Sequence, residues 1–155
     1  MKMKYHLSIA LLGLMIVFVS CNNNSSESLQ TASPNGHLTV DFYLGNNGRP
    51  GYTVDYKNER IIDSSAWAFD FRGYPPIEGD LKISGYDKIT INETWEMPWG
   101  EKRLVKNHGN ELLVHLEETE NPGRKLSVRF RVYDDGMGFR FEFPDWKNVD
   151  SLIVM

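Results

Sequence analysis

Between Glu93 and Glu111 the chain concentrates the side chains that could do chemistry. Glu93, Trp95, Glu96, Trp99 and Glu101 fall within nine positions broken by Pro98 and Gly100, and Asn107, His108, Asn110 and Glu111 follow shortly after. Sugars offer two handles to such a set: apolar C–H faces that lie on aromatic rings, and vicinal hydroxyls that bridge carboxylates and amides. On that reading these side chains are candidate sugar or cleft contacts. A second reading packs Trp95 and Trp99 into a core and leaves Glu93, Glu96 and Glu101 solvated, or paired with Lys102 and Arg103. A third makes two of the glutamates an acid/base pair, which for glycoside hydrolysis needs carboxyls about 5–5.5 Å apart for retention or about 6.5–9.5 Å for inversion. Almost any acidic loop could meet those spacings, so no catalytic residue is assigned.

Elsewhere the chemistry is sparse. His37, His108 and His115 have no partner at metal-ligand spacing, so no metal site is expected. Gly136 and Gly138 belong to a hairpin turn rather than a phosphate loop, and there is no Gly-x-Ser-x-Gly elbow. The formal net charge is −4. Without residues 1–20 the balance is 15 basic against 21 acidic residues, or −6, which argues against nucleic acid as a partner.

Cys21 is the single cysteine, so no internal disulfide can form and stability must come from a hydrophobic core. It follows a basic start (Met1 to Lys4) and an apolar or small run from Leu7 to Val19, too short to span a bilayer comfortably. Ser20-Cys21 resembles a bacterial lipobox, cleaved before Cys21 and lipidated on its thiol; the alternative is an ordinary secretory signal with a chance cysteine. The expected organisation is a signal peptide over 1–20, a lipidated Cys21 with a flexible polar tether over 21–33, and a fold from 34 to 155. Each buried methylene of a lipid adds about 0.8 kcal/mol, so the membrane becomes a partner through the anchor. No dense acidic run follows Cys21, so the expectation is a periplasm-facing anchor, the cell surface being the other location considered.

The elements that must position these residues are strands. Leu38, Val40, Phe42 and Leu44 alternate with polar positions, Asn46-Asn47-Gly48 signals a turn, and Tyr52, Val54 and Tyr56 alternate again. Lys57-Asn58-Glu59 turns the chain toward Ile61-Ile62, and residues 64–80 look like a strand followed by a long loop. Lys82 to Trp95 is extended, Leu112, Val114 and Leu116 alternate, and Asn121-Pro122-Gly123 is a turn. Leu126, Val128, Phe130 and Val132 then face Phe139, Phe141 and Phe143 across Asp134-Asp135-Gly136, with Arg129 and Arg131 expected near Glu142. No window carries a capped helical period, so the fold class is all-β and sandwich-like. Ser151 to Met155 is an apolar run without a polar close, which reads as a strand cut short and the chain as a fragment.

The segments SPNGHLTVDF, GRPGYTVDYKNERII, NETWEMPWGEKRLVKNHGNELLVHLEE and RKLSVRFRVYDDGMGFRFEFP run in order from about Ser33 to Pro144. Together they resemble the amino-terminal domain of glycoside hydrolase family 97, most specifically in Trp95-Glu96-x-x-Trp99-Gly100-Glu101 and Phe130-Arg131-Val132-Tyr133-Asp134-Asp135-Gly136. The resemblance implies an antiparallel β-super-sandwich of the galactose-mutarotase-like kind, here incomplete, which in full-length members precedes a (β/α)8 barrel. It also implies that the catalytic carboxylates and most calcium-binding glutamates lie in that barrel or beyond this segment, so that calcium belongs to the parent family and none is expected on this fragment alone. The expected function is therefore the supporting sandwich of an enzyme acting on α-glucosides or α-galactosides, with the absent barrel and an oligosaccharide as partners. The alternatives are a stand-alone carbohydrate-binding lipoprotein and a surface module with no ligand.

Overall fold

The computed structural model describes residues 28–101, 103–120 and 124–144. The signal peptide, Cys21, any pairing by Lys102, the Asn121–Gly123 turn and the run from Ser151 lie outside the described residues.

Period-two sequence becomes antiparallel sheet throughout. β1 (Ser28–Ala32), β2 (Leu38–Leu44), β3 (Pro50–Tyr56) and β4 (Glu59–Ala66) form one sheet in that order. A two-stranded hairpin, β5 (Phe69–Phe71) and β6 (Tyr74–Ile77), follows. β7 (Leu81–Glu96), β8 (Leu104–Glu118), β9 (Lys125–Tyr133) and β10 (Gly136–Glu142) make the second sheet in the order β10-β9-β8-β7. All described pairings are antiparallel. The turn chemistry is as the residues require: Lys57 and Asn58 both take positive φ, the geometry of a type I′ hairpin turn between β3 and β4.

Two expectations are corrected. The tether does not reach Ser33, because Ser28 to Ala32 pair with Tyr43 to Thr39 as an edge strand; backbone pairing and the partial burial of Leu29 draw this polar segment onto the sheet. Residues 64–80 hold no long loop: β4 continues to Ala66, and the β5–β6 hairpin buries Phe69, Phe71 and Ile77. Proline and glycine obscure that hairpin in the sequence, yet Pro75 and Pro76 sit in a two-stranded ribbon, where missing backbone donors are tolerated.

The sheets meet face to face. Val40, Phe42 and Val54 of the first pack toward Leu112, Val114, Val128 and Phe130 of the second, all at 1% exposure or less. Trp67, just past β4, gathers the aromatic centre: ring centroids of Tyr52, Phe139 and Phe141 lie 5.2, 5.2 and 5.0 Å away. Such contacts add about 0.5–1.5 kcal/mol each beyond area burial.

One crossing fixes where β7 begins. Asp80 N donates to Asn47 O at 2.6 Å, and Gly48 (φ +66°) lies so close to Leu81 that an added Cβ would fall on its backbone. Glycine is required there, and the long β7–β8 hairpin leaves from an anchored root.

Candidate functional site

β8 pairs with β9 only from Gly109 to Glu117, whereas its pairing with β7 continues outward to Trp95↔Val105 and Glu96↔Leu104. The outer part of the hairpin is therefore a ribbon of two strands projecting past the sheet. Among the described residues neither a third strand nor an opposing sheet covers it, and its apolar side chains stay in water: Trp95 is 46% exposed and Trp99, in the turn, 83%. The packed-tryptophan reading is thus corrected, since the core is filled by Trp67 and the phenylalanines instead. The Asn107–Glu111 stretch lies within β8.

Strand alternation divides the candidate residues between two faces. Glu93, Trp95, Asn107 and Glu111 share the face continuous with the outside of the second sheet, as the pairs Glu93↔Asn107, Trp95↔Val105 and Ile89↔Glu111 require. Glu96, His108 and Asn110 lie on the other face with Thr90, Asn92 and Thr94. Trp99 and Glu101 occupy the tip. Glu93 and Glu96 thus point to opposite sides and make no acid/base pair. Glu93 accepts a hydrogen bond from Asn107 Nδ2 at 3.3 Å, and Glu96 one from Arg103 at 3.4 Å, both in solvent. Asn110 is engaged structurally: its Nδ2 donates to Ala32 O at 2.8 Å and its Oδ1 accepts from Thr90, tying β8 to β1.

Glu111 has a role that its neighbours in sequence do not suggest. Only 3% exposed, it is clasped by Arg129 and by Arg131 Nε, the latter at 2.7 Å. Arg129 also donates through Nε to Glu142 at 2.6 Å, and Arg140 Nε adds a bond to Glu142 at 2.9 Å. Arg129 meets Glu142 as expected, but Arg131 turns to Glu111, because β8 lies against β9 on the side away from β10. The arginines hold the Glu142 carboxyl down to about 2, with the Arg129 hydrogen bond the largest cause and Arg140 assisting. A depressed carboxyl stabilises the fold above its unfolded value near 4.5 and loses that contribution as pH falls toward 2. The stability gap between wild type and Glu142→Gln, measured by Trp67 fluorescence in urea, is therefore expected to narrow from pH 5 to pH 2.5; a constant gap would contradict it.

A serine–histidine–aspartate chain also lies on this face. His115 Nδ1 sits 2.9 Å from Ser127 Oγ and His115 Nε2 3.2 Å from Asp87 Oδ2. Ser127 is only 8% exposed. The chain laces β7, β8 and β9 together, and the sequence hides it because the three residues are far apart. Among the described residues no group of three His, Cys, Asp or Glu is placed to hold a metal ion. Glu111, Glu118 and Glu142 are all committed to arginines, so these residues do not fit calcium. Among the described residues, what stands out is a projecting, hydrogen-bonding ribbon with two tryptophans in solvent, a surface for contact.

Comparison with known proteins accords with this geometry. The family described as Glycosyl-hydrolase 97 N-terminal matches residues 31–155. A retaining alpha-galactosidase of Bacteroides thetaiotaomicron is 23% identical over 128 residues, covering 83% of this chain and 18% of its own. A glycoside hydrolase family 97 enzyme from Pseudoalteromonas sp. strain K8, solved with panose and with acarbose, superposes at a TM-score of 0.75 and 29% identity, over 81% of this chain and 19% of that one. A beta-arabinopyranosidase gives a TM-score of 0.71 at 25% identity, over 81% of this chain and 20% of its own. The chain spans about a fifth of the length of these relatives.

Proposed function

The chain belongs to the glycosyl-hydrolase 97 N-terminal family, and from that premise we propose that it is the supporting β-sandwich of a longer enzyme acting on α-galactosides or α-glucosides. The observation that carries this is the disposition of its carboxylates. Glu93 and Glu96 diverge across a ribbon, and Glu111 and Glu142 are bound by arginines, so none is poised to protonate or attack a glycosidic bond. The reaction belongs to the catalytic domain that makes up the rest of such an enzyme. This sandwich packs against that domain, and the β7–β8 ribbon walls one side of the cleft. Export and attachment through a lipidated Cys21 complete the reading; the intact mass of the mature protein tests it.

The decisive experiment compares the full-length protein with residues 21–155 on p-nitrophenyl α-galactoside and α-glucoside. Hydrolysis by the full-length protein alone is expected. Turnover by residues 21–155, or a gene ending just after codon 155, would overturn the reading.

A second reading, a carbohydrate-binding lipoprotein without hydrolase activity, is favoured by one observation: Trp99 presents 83% of its surface on a projecting tip. On that reading Trp99→Ala weakens maltooligosaccharide binding by more than about 1 kcal/mol, the scale of an aromatic anchor. An unchanged titration, in a protein that binds the sugar, removes it.

A further inference from the structure

The two outward faces of the sandwich differ in chemistry. The outside of the first sheet carries Thr39, Asp41, Thr53 and Asp55, with Arg60 bonded to Asp55 and the Tyr43 hydroxyl 2.6 Å from Ser64 Oγ. That surface is mostly polar, although Thr53 is itself buried and Ile61 on β4 is 59% exposed. The outside of the second sheet is mixed. Ile89 (51% exposed) and, further out, Trp95 lie on it with Tyr133, whose ring covers Gly109 so closely that a Cβ there would meet it at 2.7 Å.

One cluster on this face is locally positive, although Asp87 and Glu93 lie on the same face along β7. Arg129, Arg131 and Arg140 face only Glu111 and Glu142, which leaves the cluster at +1. Arg131 and Arg140 border a shallow cleft of about 250 Å³ over Gly138, where an added Cβ would meet nothing within 4 Å. Arg131 spends Nε on Glu111, and among the described residues no partner is seen for its two terminal nitrogens. Ile89, two strands from the open Arg131 guanidinium fork, and Trp95, further out along the hairpin, give this face what a protein interface uses: apolar area for affinity, arginine for a carboxylate in two-point geometry.

We infer that the outer face of the β7–β10 sheet, from Trp95 to Arg140, is the face on which the catalytic domain of the longer enzyme packs, with a carboxylate of that domain seated between Arg131 and Arg140. This rests on the reading that such a domain packs against this sandwich, and it specifies the side. Two facts select that occupant over a second copy or an unrelated protein. About four fifths of each relative's length lies outside the matched region, and a polypeptide tethered to the sandwich meets its surface at high effective concentration.

The test is peptide-resolved maleimide labelling of the full-length protein carrying Ile89→Cys on one outer face or Ser64→Cys on the other. Trp95→Cys repeats the first measurement, and matched elution on gel filtration shows that each variant is folded. Ser64→Cys is expected to label at least ten times faster than Ile89→Cys and Trp95→Cys. Fast labelling at Ile89→Cys with protection at Ser64→Cys overturns the inference while leaving a packed sandwich in place. Fast labelling at all three positions removes both the inference and the packing on which it rests.

Discussion

In the full-length protein, Arg129→Ala is expected to destabilise the β8–β9–β10 region by about 3 kcal/mol, the scale of breaking a buried ion pair from one side. Arg129 is the shared member of two bridges, to Glu111 across β8 and to Glu142 across β10. Its loss leaves Glu111 buried with only Arg131, whose side chain is half in solvent. Water cannot easily replace the missing donor at a carboxylate that is 3% exposed, so the desolvation cost persists without its compensation. Hydrogen exchange of the β8 and β9 amides reads the effect as a loss of protection of roughly a hundredfold. A double change, Arg129→Met with Glu111→Leu, should recover much of that loss, since apolar side chains of similar volume remove the charge needing a partner. An effect below about 0.5 kcal/mol would show that the bridges behave like exposed surface pairs.

That lattice also marks where sequence reading stops. Alternation in Leu38–Leu44, Leu112–Leu116 and Leu126–Val132 is a local property, so strands, inward faces and the β9–β10 hairpin were legible from residue type alone. Which strand lies beside which is not local. Arg131 and Glu142 share a hairpin and are natural partners in sequence, yet β8 supplies Glu111 from the other side and takes Arg131. Glu111 looked like part of a polar ligand cluster because its neighbours are Asn107, His108 and Asn110; alternation sends it to the arginine face and burial fixes it there. Trp95 and Trp99 were ambiguous for the same reason. Both suit a core, and only the length of β7 and β8 beyond β9 decides that they project. The β5–β6 hairpin is hidden in the sequence because proline breaks the alternation signal while the ends of the hairpin, Phe69 and Ile77, do the packing.

Phe130→Ala should cost about 3–5 kcal/mol, the range for emptying a large aromatic site in a core that cannot collapse. Phe130 is fully buried and bridges the sheets: its ring lies 6.2 Å from Phe42, 5.9 Å from Tyr52, 6.1 Å from Trp67 and 5.8 Å from Phe139. Those neighbours come from β2, β3, the segment after β4, and β10, so no single strand can shift to fill the void. Phe130→Leu retains part of the volume and should lose distinctly less, which separates cavity formation from the loss of an aromatic ring. Trp99→Ala, at the solvent-exposed tip, should leave the exchange of the same β8 and β9 amides unchanged. The pair of results carries a functional consequence. β9 lies between the aromatic core on one face and Arg129 and Arg131 on the other, and β8, which carries the ribbon outward, is hydrogen-bonded along it from Gly109 to Glu117. On the proposed function, if Phe130→Ala loosens β9, the ribbon loses the sheet that aims it, and hydrolysis by the full-length protein should fall even though Phe130 is sealed from solvent. Full activity beside a collapse of β8–β9 protection would mean that the ribbon's placement does not matter to the cleft.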